Sequence, residues 1–144
     1  MYLKENLYFF YISLKSNLVD LNDFVKWLNN HYADNSNIDI LYELECAFND
    51  VDKILSITSA YIYDKIDSVN FDIVWHMIID AAQKWCDENK DIKLLTQILY
   101  KIWCDIPSDI SAKTPYIKLN SIDDMWECYR ENAPKKIKDF LYET

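Results

Sequence analysis

The residues whose types could do chemistry are a histidine between two aspartates and a repeated tryptophan–cysteine–aspartate tripeptide. Asp72, His76 and Asp80 are spaced four apart, so on a helix they form one stripe that could offer oxygen and nitrogen ligands to a metal ion. The set holds one imidazole, no fourth ligand follows in sequence, and no HExxH pattern is present. It reads as a solvated helix face. Trp85-Cys86-Asp87 recurs as Trp103-Cys104-Asp105, and the variant Trp126-Glu127-Cys128 follows. The cysteines at 46, 86, 104 and 128 show no CxxC spacing, which suits a reducing cytoplasm. On two antiparallel helices Cys86 and Cys104 would stand about 15 Å apart along the axis, and on one continuous helix about 27 Å. Neither separation permits a disulfide, whose α-carbons must come within about 7 Å. The tryptophans are therefore expected as core fillers and the cysteines as small buried hydrophobes.

Other catalytic arrangements are missing. Glycine is absent from all 144 residues, where average usage would supply roughly ten. Without it the chain cannot build a Walker loop, a dinucleotide fingerprint or a nucleophile elbow, and tight hairpins are disfavoured. His31 falls at a helix end, where the dipole favours a cation. Serines and threonines fall mostly at caps and loops, and nothing places a nucleophile beside a base. We expect no enzyme, no cofactor and no metal.

The elements that position these residues are helical. Apolar residues, 51% of the chain with aromatics at 15%, recur at helical spacing almost throughout. A first helix is predicted over about 2–16, whose apolar run Leu7 to Leu14 is too short to span a membrane and has no cleavage site after it. Asp20 caps a second helix that ends at Asn29-Asn30. Asn37 caps a third, with Ile38, Leu41, Leu44 and Phe48 on one face, and Asp50 a fourth. A fifth covers 71–88, and Asp91 opens a sixth. Residues 106–120 contain Pro107 and Pro115 and read as a long loop with a short strand at Tyr116–Leu119. Ser121 with Asp124 resembles a capping box that opens a seventh helix over 122–132, and Pro134 begins a last one to about 142. Asn30, Asn89 and Asn132 stand where glycine would usually end helices. The expectation is one all-α domain over 1–144, with about eight helices packed as helical hairpins. Starts near 2, 37 and 71 suit a repeat of roughly 34–35 residues, hence a short α-solenoid, or alternatively an irregular bundle.

Charge is the most informative feature. The net charge is −9, and residues 1–33 and 92–144 are each neutral. Residues 34–91 hold thirteen acids against Lys53, Lys65, Lys84 and Lys90, so they carry the whole imbalance. Asp39 and Glu43 share one side of helix three, and Asp72, His76 and Asp80 one stripe of helix five, which Asp87 continues. Like charges so spaced repel by a few tenths of a kcal/mol. Asp87 and Glu88 also sit in a last helical turn, where the dipole disfavours anions. Local stability does not ask for these residues; they read either as a soluble acidic surface or, more sharply, as a docking face for a cationic protein. Its candidate residues are Asp39, Glu43, Tyr63, Asp64, Asp67, Asp72, His76, Asp80, Asp87 and Glu88. Tyr61 and Tyr63 beside carboxylates suit an interface centre and rim. Nucleic acid is not an expected partner, since the acidic middle repels phosphate and the bases form no stripe; Lys135, Lys136 and Lys138 read as helix solubilisation.

A small, glycine-free, acidic, all-helical chain with its charge on one face resembles the bacterial immunity proteins of contact-dependent inhibition, polymorphic-toxin and colicin systems. The resemblance lies in size, composition and charge pattern along the whole chain. It implies tight, stoichiometric binding to a cognate toxin domain, often a basic nuclease, whose nucleic-acid surface the acidic face would mimic or occlude. Two other readings fit the same features. One is a helical-repeat adaptor for a peptide or larger assembly. The other is a viral or mobile-element protein that modulates a host factor through a helical groove.

Overall fold

The computed structural model describes residues 2–32, 38–47, 49–122 and 139–140. Eight α-helices occur among them, with one 3-10 turn and no strand, so the fold is all-α. The chain divides into two compact units, Met1–Asn70 and Phe71–Thr144.

The first unit contains α1 (Leu3–Ser16), α2 (Leu21–Tyr32), α3 (Asp39–Glu45), α4 (Val51–Tyr63) and a 3-10 turn at Ile66–Ser68. Its centre is α1, in which Leu7, Tyr8, Phe9, Phe10, Ile12, Ser13 and Leu14 are all buried. A helix apolar on every side must be covered on every side. Accordingly α1 packs most extensively on α4, while α3 contacts both α2 and α4. Edge-to-face rings tie α1 to α2, with Phe10 5.4 Å from Phe24, and Trp27 lies 5.3 Å from Phe10. Among the described residues no helix is long and apolar enough to cross a membrane.

The second unit contains α5 (Phe71–Asn89), α6 (Ile92–Asp105), α7 (Ser108–Ser111) and α8 (Ile117–Asn120). Here α6 packs against α5 and α8. Val74, Ile78 and Ala82 of α5 and Leu95, Leu99 and Ile102 of α6 are fully buried. The expected strand at Tyr116–Leu119 is instead helical. Tyr116, Leu119 and Ile122 are buried at a spacing of three, while Ile117 is exposed, which is a helical and not a strand period. The expected loop thus holds two short helices, and Trp103 Nε1 donates to the Ser111 carbonyl at 3.0 Å.

Carboxylates cap the helices as predicted. Asp20 and Asp23 bond each other's backbone N–H reciprocally at the start of α2, and Asp50 and Asp91 accept from Lys53 N and Leu94 N. The C-terminal caps differ from expectation. Among the described residues Asn17, Asn49 and Lys90 have positive φ, while Asn30 lies inside α2 and Asn89 is the last residue of α5. At Asn17 the Leu18 N–H reaches the Ser13 carbonyl, and the Asn17 N–H the Leu14 carbonyl, a complete Schellman motif. Asn89 spends its amide on the Trp85 carbonyl at 2.9 Å, and Lys90 takes the left-handed position. A residue with a Cβ is disfavoured there by roughly 1–2 kcal/mol. Lys90→Gly should therefore raise stability by about 0.5–1 kcal/mol, read as a higher urea midpoint with an unchanged slope. Beyond Ile122 the expected helix over 122–132 lies outside the described residues, as do its capping partner Asp124, the cap Asn37, and Phe48, Asn132, Pro134 and Cys128.

Candidate functional site

The ten predicted interface residues fall on both units. In the first, Asp39 and Glu43 are exposed one turn apart on α3. Tyr42 lies between them and is 56% exposed. Hydrogen bonding to the Cys46 side chain one turn on, then repulsion from the anions that Cys46 and Tyr32 form at high pH, push the Tyr42 phenol above its ordinary range. Tyr63 ends α4 and is 85% exposed, an unusual position for so large a ring. Asp64 follows it as the C-cap, and Asp67 sits exposed in the 3-10 turn. Lys65 is engaged within the unit: Nζ lies 3.2 Å from Asp64 Oδ1, donates to the Tyr61 carbonyl, and stands 4.3 Å from the Tyr61 ring centre.

In the second unit Asp72, His76, Asp80, Asp87 and Glu88 are all exposed on α5, opposite its buried Val74, Ile78, Ala82 and Cys86. Asp87 and Glu88 do occupy the last turn, which carries no basic residue. Among the described residues the carboxylates of Asp39, Glu43, Asp67, Asp80 and Glu88 make no hydrogen bond or ion pair. Five carboxylates thus stand in solvent with no internal role. The predicted acidic face is two sets, Asp39 to Asp67 on one unit and Asp72 to Glu88 on the other.

The remaining candidates resolve differently. Among the described residues no group of three or more His, Cys, Asp and Glu side chains is arranged to hold a metal ion. His31 lies in the last turn of α2, with Nδ1 2.8 Å from the Trp27 carbonyl and its ring 5.0 Å from that of Trp27, tilted by 31°. Cys86 is buried as expected, but Cys104 is exposed and Cys46 half-buried. Cys104 follows Ile102 by two residues, about 200° around the helix, which turns it away from the buried face. Glu5 is a buried carboxylate that the sequence analysis passed over; it lies in the first turn of α1, where the helix dipole favours an anion, and its Oε2 has no partner.

Two cavities were not foreseen. An open apolar groove of about 230 Å³ is lined by Tyr8, Tyr11, Ser59, Ile62, Tyr63 and Ile66. A more enclosed pocket of about 220 Å³ lies among α2, α3 and α4, with Phe24, Leu28, Leu44 and Ile54 beneath and Asn29, Glu45 and Asn49 lining it too. Neither has a linear signature, because each draws on residues far apart in sequence. No protein-family model, curated protein or solved structure matches the chain.

Proposed function

We propose that this protein is an immunity protein, which binds a cognate cationic toxin domain, such as a nuclease, and neutralises it stoichiometrically through exposed carboxylates. The observation that carries this reading is the set of five solvent-exposed carboxylates without internal partners, all within the segment that holds the entire charge excess. Charges placed where neither packing nor pairing uses them act outward. They accelerate encounter with a basic surface and disfavour anionic partners. The exposed Tyr63 beside Asp64 and Asp67 supplies an aromatic anchor next to a charged rim, the composition of an interface centre. On this reading the protein works in the cytoplasm and performs no catalysis.

The test is genetic. The open reading frame immediately upstream is expressed in a bacterial host with and without this chain. Toxicity that this chain relieves is the expected result. A harmless upstream product, or toxicity left unrelieved, rules the reading out. A second reading, a helical adaptor for an apolar peptide, draws on the groove between Tyr8, Tyr11 and Tyr63. It predicts a partner whose binding is insensitive to salt, because apolar contacts are not screened.

A further inference from the structure

The pocket among α2, α3 and α4 is chemically asymmetric. Phe24, Leu28, Leu44 and Ile54 are each buried and form its apolar part. Asn29, Glu45 and Asn49 are exposed, line the same pocket, and their side chains make no hydrogen bond or ion pair among the described residues. Among the described residues Glu45 is the one charged member of that lining. Three unengaged acceptors beside an apolar floor call for a group with an apolar stem and several fixed donors.

We infer that this pocket receives an arginine side chain projected by a protein partner. The guanidinium presents five donors in a planar fork, which can pair with the Glu45 carboxylate while the Asn29 and Asn49 amide oxygens take the outer N–H groups. Its three-carbon stem then covers the apolar floor. A lysine would offer a compact, strongly hydrated charge to the same three acceptors and fit them less well. The size agrees: a cavity of about 150 Å³ is enough for a benzene ring, and this one is about 220 Å³. The chain's net charge of −9 opposes a second copy as the occupant and favours a basic protein. The inference rests on the cationic partner proposed above and adds a residue-level contact on the first unit, apart from the ten residues read from the sequence.

The full 144-residue chain, isotope-labelled, is titrated with n-butylguanidinium, n-butylammonium and N-acetyl-arginine methylamide while backbone amide shifts are followed. Expected are saturable shifts centred on Asn29, Glu45 and Asn49, with both guanidinium probes binding about tenfold more tightly than the ammonium. Glu45→Gln should weaken guanidinium binding about tenfold. Asp52→Asn, which removes an equal charge from exposed α4, should leave it unchanged. Equal loss in the two variants, equal affinity for ammonium, or shifts spread over all the acidic residues would mean simple ion attraction and overturn the inference. Binding of butylguanidinium but not of the capped arginine would make the pocket a small-molecule site and also overturn it. The titration needs no toxin, so a failed co-expression test and an empty pocket are separate outcomes.

Discussion

Reversing Asp72, Asp80 and Asp87 to lysine is expected to slow association with a cationic partner by about a hundredfold at low ionic strength, with a smaller effect on dissociation. All three side chains are exposed on α5, so the substitutions change the field and not the core. The wild-type rate should fall steeply as salt is added, because the Debye length shrinks to about 8 Å at physiological ionic strength. The variant should lose most of that dependence. Helicity should persist: lysine at position 87 would sit in a last turn that has no basic residue, where the dipole favours it, and this offsets the few tenths of a kcal/mol of new repulsion with Lys84. Stopped-flow association across a salt series, with circular dichroism as the control for folding, measures both effects. An unchanged rate would move the interface to the first unit, where Asp39, Glu43, Asp64 and Asp67 stand.

Tyr116→Ala is expected to destabilise the second unit by about 3–5 kcal/mol, the usual cost of deleting a buried aromatic ring. Tyr116 is 2% exposed, its ring lies 5.2 Å from Trp75 and 6.1 Å from Phe71, and its hydroxyl donates to the Phe71 carbonyl at 2.6 Å. That bond ties a carbonyl in the first turn of α5 to a residue 45 positions away. Tyr116→Phe removes only the bond and should cost about 1 kcal/mol. Urea unfolding and amide exchange resolved along α5, α6 and α8 give both values. A loss under 1 kcal/mol for Tyr116→Ala would mean that the segment after α7 contributes little to that core.

Local rules governed much of what the sequence conveyed. Helix starts at Asp20, Asp50 and Asp91 were legible because a capping carboxylate acts on a backbone N–H three residues on. The exposure of Asp72, His76 and Asp80 followed in the same way, since a spacing of four opposite buried Val74 and Ile78 leaves only the solvent side. The helix ends were harder to read. Asn89 and Lys90 are adjacent, and the helical bond from the Lys90 N–H to the Cys86 carbonyl carries α5 through Asn89, so that Lys90 is the residue that turns left-handed. The segment 106–120 was misread because its two prolines and short apolar runs look the same in a loop and in single helical turns. Burial of Tyr116, Leu119 and Ile122 on one core distinguishes them.

The amino-acid sequence by itself determined an all-helical chain without glycine-dependent chemistry, its helix starts, and an excess of carboxylates confined to residues 34–91. These depend on composition and on interactions within a turn or two of helix. Only the tertiary structure decided that the carboxylates divide between two units, that Tyr63 stands in solvent beside a groove, and that Asn29, Glu45 and Asn49 line one pocket. Each of these requires helices distant in sequence to meet, and no local spacing encodes which of them do.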